Sequence, residues 1–166
     1  MSSSLDERHQ RAVQAVQQAA TLPDLLRTAA RQFADIADAE ACAISRVVGD
    51  VLIEVFEYAV EERTLVLGHG YLISDFPLTR EALEDDKPRT ASLLDPETDE
   101  SEANLLRELK FDSLLMVPLT CDGDPWGLAE IYVNGREFTG EEVARAHALA
   151  SAVCGKIEEL PVPGSG

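Results

Sequence analysis

Between Tyr71 and Arg80 the chain gathers a phenol, two hydroxyls, a carboxylate and a guanidinium, at Tyr71, Ser74, Asp75, Thr79 and Arg80, with Phe76 as an apolar neighbour. That inventory suits the orientation of a polar ligand: the ring gives a wall, the hydroxyls and carboxylate fix position, and the guanidinium clamps a carboxylate or phosphate. Each residue also has a purely structural use. Asp75 can cap a helix opened by Pro77, Tyr71 can wall the core, and Arg80 can pair with Glu84 four residues on. Glu130 alternates with Leu128 and Tyr132 in an otherwise apolar run. A carboxylate there is costly to bury unless it is paired or liganded, so it meets Arg46, meets Arg107 or points at a ligand. Met116, on the run that faces it, is core or a ligand contact.

Two further residues bear on chemistry. His69 stands between two glycines, as an exposed turn residue or a single axial haem ligand, with no second ligand evident. Cys121 adjoins a turn where exposure is expected, but Asp122 and Asp124 beside it raise a thiol pKa, which argues against a nucleophile. Trp126 follows Pro125 as a partner anchor or a lid on the sheet edge.

These side chains need a sheet with helices laid on it. Ser113–Leu119 and Trp126–Val133 are apolar runs around Asp122-Gly123, a strong hairpin signal because glycine takes positive φ without steric cost. In the second run Gly127, Ala129, Ile131 and Val133 share one face, and Leu128, Glu130 and Tyr132 the other. The spacing predicts strands over Ala41–Val48 and Val51–Val60, with Leu52, Glu54, Phe56 and Tyr58 on one face of the second. Further strands are expected at Thr64–Leu67 and Pro88–Ser92, and irregular backbone over Tyr71–Phe76. Helices are expected from Ser4 with Glu7 as a capping box, from Thr21 to about Asp38, from Pro77 to about Asp86, and from Asp99 with Glu102 to Lys110. A last helix starts at Thr139 with Glu142 as its capping box and Phe138 with Val143 as its staple.

The first and last helices carry narrow seams. Leu5, His9, Ala12, Val16 and Ala19 recur at steps of four and three, as do Val143, Ala146, Ala150, Val153, Ile157 and Leu160. Such a seam suits a partner helix, so Val16, Val143, Ala146, Ala150, Val153 and Ile157 are expected in a homodimer interface. A second stripe, Ala144, Ala148, Ser151, Ala152 and Gly155, faces the sheet or a neighbouring helix.

A chain of 166 residues, 45% apolar, is one folded domain by default. Its formal charge of −17 repels phosphate backbones and anionic membranes, so neither nucleic acid nor membrane is an expected partner. The 3 cysteines are odd in number and widely spaced, which supports neither a disulfide framework nor a zinc site. MSSSLDERHQ has no signal-peptide core, and the expected location is cytoplasmic.

The segments YLISDFPLTREAL (Tyr71–Leu83), SEANLLRELKF after the acidic Asp95–Asp99 loop, SLLMVPL (Ser113–Leu119), GLAEIY (Gly127–Tyr132) and REFTGEEV (Arg136–Val143), in this order of elements, resemble a GAF domain. The text is most similar to bacterial GAF domains upstream of diguanylate cyclase or kinase output domains. The resemblance covers roughly Leu22 to Glu159 and implies an α+β fold: a central antiparallel sheet of about six strands, helices on both faces, and terminal helices packed together. Residues 1–21 are then a linking or dimerising helix, 22–160 the GAF-like domain and 161–166 a tail. The implied function is a non-catalytic sensory module that binds a small molecule between the sheet and Gly70–Asp86, forms a homodimer and acts on an output domain in a longer parent.

The family's variants narrow the cofactor without naming one. The cyclic-nucleotide signature Asn-Lys-Phe-Asp-Glu does not occur, and no cysteine lies between Gly70 and Lys110 to hold a bilin covalently. Enzymes of this family that reduce free methionine sulfoxide carry cysteines in and after the segment aligned with Ile73–Leu83, and this chain has none there. A thiol reductase of that kind and a purely structural dimeriser remain the alternatives.

Overall fold

The computed structural model describes residues 2–60 and 70–160, with side chains from Glu7 onward. Thr21 Oγ1 accepts the Asp24 N–H at 3.2 Å and opens helix α2 (Leu22–Ile36), with Pro23 in its first turn. Ahead of it lies α1 (Ser2–Gln17). The backbone then alternates into β1 (Ala41–Val48) and β2 (Val51–Ala59), joined through Gly49 at φ +61°. A short β3 (Gly70–Leu72) pairs with β2, followed by a 3-10 turn (Ile73–Asp75) and α3 (Pro77–Asp85). β4 (Arg89–Ser92), α4 (Glu100–Leu109), β5 (Ser113–Cys121), β6 (Asp124–Val133) and α5 (Gly140–Glu159) complete the chain.

The six strands form one sheet in the order β3-β2-β1-β6-β5-β4, with every neighbour antiparallel. The long β5–β6 hairpin turns on Asp122 and Gly123, both at positive φ, as the Asp-Gly pair requires. Gly127 is needed for a different reason. A Cβ there would stand 2.2 Å from the Ser45 carbonyl oxygen, so only glycine lets β6 pass β1 at this register.

Two cores sandwich the sheet. On one face α2 and α5 lie on the strands with α1 packed on both, burying Phe33, Ile44, Leu115, Ile131, Leu149 and Val153. On the other, α3 and α4 cover Leu52, Leu114, Met116, Leu128 and Tyr132. The α+β architecture with helices on both faces agrees with the sequence reading. The Thr139–Glu142 capping box is present in full: Thr139 Oγ1 accepts the Glu142 N–H at 3.2 Å and Glu142 Oε1 accepts the Thr139 N–H at 2.8 Å.

Several expectations need correcting. β3 forms at Gly70–Leu72, overlapping the start of the Tyr71–Phe76 stretch read as irregular, while the strand expected at Thr64–Leu67 falls outside the described residues, as does His69. The faces of β2 do not run as simple alternation dictates. A bulge lets Ile44 pair with Phe56 and Ser45 with Glu54, leaving Val55 over and 39% exposed. Leu52 is therefore in the α3–α4 core while Phe56 and Tyr58 pack against the α1–α2–α5 core.

The helical seams are also corrected. Val16, Ala146 and Val153 are fully buried and Ala150 nearly so, within the chain's own core where α1 meets α5. Val143 and Ile157 are half-buried against the same core. A heptad-like seam records that one helix meets another without recording whose, and here the partners belong to one chain. The small stripe turns the opposite way: Ala144, Ala148, Ser151 and Gly155 are exposed.

Candidate functional site

The face of the sheet under α3 and α4 is apolar at its margins and acidic at its centre. In β6 the period-two pattern carries Glu130 inward between Leu128 and Tyr132, and the residue is only 5% exposed. Ser45 Oγ donates to Glu130 Oε1 at 2.9 Å and Tyr132 OH donates to Glu130 Oε2 at 3.0 Å. Burial raises the Glu130 carboxyl above the ordinary carboxylate range, against the pull of those two hydroxyls. Tyr132 stacks on Phe111 at 5.0 Å, and burial and the Glu130 charge push its phenol well up.

A second buried carboxyl comes from α4. Asp99 caps that helix by accepting the Ser101 and Glu102 N–H groups at 3.0 and 3.4 Å, so the Glu102 side chain is not spent on the cap. It turns inward and is fully buried. Thr79 Oγ1, on α3, lies 3.2 Å from Glu102 Oε1 and 3.3 Å from Met116 Sδ. Among the described residues Glu102 Oε2 has no hydrogen-bond partner. Burial lifts the Glu102 pKa to about 7; the Thr79 bonds oppose this, and the charges of Glu130 and Asp99 add to it.

Tyr71 and Glu54 close the edge of the cluster. Tyr71, on β3, meets Phe76 edge-on at 5.8 Å, and its phenol is pushed to about 12 by burial and then by Glu54, Glu130 and Glu108. Glu54 lies opposite Ser45 on β2 and is 2% exposed. Chemically, the face presents acceptors to whatever enters, backed by neutral hydroxyls, two aromatic pairs and a thioether.

Of the residues singled out in the sequence, Tyr71, Phe76, Thr79, Met116, Glu130 and Tyr132 belong to this face. Ser74, Asp75 and Arg80 do not. Ser74 is exposed and donates to Asp50 Oδ2 at 2.8 Å. Asp75 is exposed, and the α3 N-cap is Phe76 with no side-chain capping bond, which corrects the capping expectation. Arg80 points outward, 3.9 Å from Glu84. Glu130 meets neither suggested arginine: Arg46 donates to the Trp126 carbonyl at 2.9 Å and lies 4.4 Å from the Trp126 ring centre, and Arg107 bonds Asn104 and Glu100.

Sequence reasoning missed Glu102, Glu54 and Ser45 as members of the site. The signal for Ser45 and Glu54 was a polar residue flanked by apolar ones in each of two strands, although Arg46 and Glu57 on the same strands dilute it. Glu102 was hidden because Asp-x-x-Glu reads as a helix start.

Elsewhere most of the buried polar groups are engaged, His9 Nδ1 on α1 being an exception. A surface cavity of about 560 Å³ lies between α1 and the end of α2, where Arg8 is held by Asp38 at 3.0 Å and by the Asp35 carbonyl. All three cysteines belong to the core on the opposite face of the sheet. Cys121 is buried rather than exposed. A hydrogen bond with Cys154 lowers its pKa, contrary to the effect expected of the flanking aspartates. Among the described residues no group of three His, Cys, Asp or Glu is arranged to hold a metal ion, and no helix is long and apolar enough to cross a membrane.

The model of a family described as "GAF domain" matches residues 21–157. No curated protein matches the chain significantly. Among solved structures, the chromophore-binding domain of a Stigmatella aurantiaca bacteriophytochrome superposes with TM-score 0.80 at 15% identity, covering 93% of this chain and 60% of that one. The chromophore-binding domain of a bacteriophytochrome from R. palustris superposes with TM-score 0.81 at 14% identity, covering 96% and 62%. A far-red absorbing dark-state protein with bound biliverdin IXa gives 0.78 at 15% identity, covering 92% and 98%. The chain thus spans about three-fifths of those two phytochrome structures, and at these identities the likeness is one of fold.

Proposed function

The chain belongs to the GAF domain family, and on that premise we propose that it is a non-catalytic sensory module that takes a small molecule between the acidic face of its sheet and the cover made by β3, α3 and α4. One observation carries this reading: two carboxyls, Glu102 and Glu130, are buried on the face where a plain structural sheet would bury only apolar groups. A buried polar network is retained at a cost in stability, and a bound molecule that completes its hydrogen bonds offsets that cost. The description of structural neighbours as chromophore-binding supports the reading of this fold as one that takes small molecules. A thiol-dependent enzyme is disfavoured because every cysteine lies on the far side of the sheet from this cluster.

In this reading the module is cytoplasmic and acts on an output domain in a longer parent. A homodimer, if formed through α5, uses its exposed small-residue face at Ala144, Ala148, Ser151 and Gly155, since Val153 and its companions are committed to the chain's own core. Native mass spectrometry of protein purified from cells tests both parts together. A retained small molecule that is absent from Thr79→Leu supports the site. A chain at its bare mass, which also acquires nothing from a cell extract, sinks it. A strictly monomeric spectrum removes the dimer.

A further inference from the structure

The α3–α4 face holds more acceptor capacity than its donors satisfy. Glu102 is 0% exposed, one of its oxygens is served by a single threonine hydroxyl, and the other has no partner among the described residues. An acceptor left so costs about 1–3 kcal/mol, more when charged. Glu130 is 5% exposed and receives its bonds from two neutral hydroxyls, Ser45 and Tyr132. Among the described residues neither carboxyl has an ion-pair partner within reach, although ten pairs form elsewhere on the molecule. The two carboxyls lie close enough for the charge on Glu130 to act on Glu102.

From this arrangement we infer that the ligand is an organic cation bearing N–H donors, of the ammonium, amidinium or guanidinium class, held by Glu102 and Glu130 against the Tyr71 ring and the Met116 thioether. The inference rests on the small-molecule reading of the same site. A metal ion is the less suited class of cation, because among the described residues no three His, Cys, Asp or Glu side chains are grouped as metal ligands. An anion meets two buried acidic groups on a protein of net charge −17. Aromatic and thioether surfaces suit the apolar body of an organic cation, and a ring face attracts its charge.

Binding has a proton signature. Glu102 meets Thr79 from α3, which in turn meets Met116 on β5, and the charges of Glu130 from β6 and of Asp99 from its own helix cap act on it. Among the described residues, Tyr71 from β3, Glu54 from β2, Glu108 from α4 and Tyr132 from β6 are the other titratable groups of the face. With its pKa at about 7, Glu102 is roughly half protonated at neutral pH, and a cation drives it to the carboxylate, releasing about half a proton per site.

The test is calorimetry at pH 7 on the full chain, in two buffers of different ionisation enthalpy. Benzamidinium and phenethylammonium are the cationic probes, benzamide and 2-phenylethanol the neutral matches, and biliverdin the anion. We expect the cations to bind at least tenfold more tightly than their neutral matches, with release of about half a proton. Glu102→Gln, whose side chain has the same shape, is expected to lose at least tenfold in cation affinity together with the proton release. Glu130→Gln is expected to lose affinity as well, with circular dichroism reporting that each variant is folded. Failure of both cations to bind overturns the inference, as does cation binding unchanged in folded Glu102→Gln. Glu102-dependent binding of benzamide or biliverdin overturns the charge class and leaves the sensory reading standing. A protein that binds none of the five probes and carries no mass from the cell overturns both.

Discussion

The burial of Glu102 sets a measurable slope of stability against pH. Its carboxyl moves from an ordinary value of 4.5 to about 7 on folding, because burial penalises the charged form more than Thr79 relieves it. A carboxyl whose folded pKa is raised binds its proton more tightly when folded. Below pH 4.5 both states hold the proton and the group costs nothing extra. Between 4.5 and about 7 the unfolded chain ionises first, so folding stability falls as pH rises, and above the folded pKa the loss is complete. At 1.36 kcal/mol per pH unit the total is about 3 kcal/mol. Glu102→Gln removes this titration while keeping the side chain's size. Relative to wild type, the variant is expected to be near neutral at pH 4.5 and more stable by about 3 kcal/mol at pH 8.5, a rise of ~6–12 °C in Tm for a chain of this length. Urea unfolding of both proteins across that pH range is the assay. The difference between them reports Glu102 together with its charge coupling to Glu130, while the burial of Glu130 itself is common to both. A difference that stays flat with pH, or that grows toward acid, refutes the reasoning.

Two more outcomes follow from packing. Val153→Glu places a charge in the fully buried contact of α5 with the rest of its core and is expected to cost about 4 kcal/mol or more, seen as loss of cooperative thermal unfolding rather than as a folded monomer on sizing. Gly127→Ala drives a methyl into the Ser45 carbonyl at 2.2 Å, forces β1 and β6 apart, and is expected to cost about 3 kcal/mol or more by urea unfolding, well beyond what ordinary strand propensity would give.

The elements whose signals are local were legible in the chain. The Asp122-Gly123 turn, the alternation through Leu128, Glu130 and Tyr132, and the Thr139–Glu142 box each act over a few residues and appear as read. What was not legible depends on partners far along the chain. The seam of Val16 and Val153 shows only that helices meet, and the other helix proved to be the chain's own. The bulge at Val55 reverses the faces of β2 through pairing with β1, with no glycine to announce it. Asp99 suffices as the α4 cap, which frees Glu102 for a threonine 23 residues upstream. The pairing of Cys121 with Cys154 likewise joins a strand to a helix that only the fold brings together.

The sheet is one residue thick, and that thinness has a consequence for transmission. Glu130 looks toward the acidic side while its chain neighbours Ala129 and Ile131 are embedded among the helices opposite. α5 rests on β5, and β5 is zipped to β6 along the whole hairpin. A shift of β6 by a fraction of an ångström on one side is therefore a shift of the floor beneath α5 on the other. Under the sensory proposal, the partition is the membrane of a drum, struck on its acidic side and heard by the paired first and last helices.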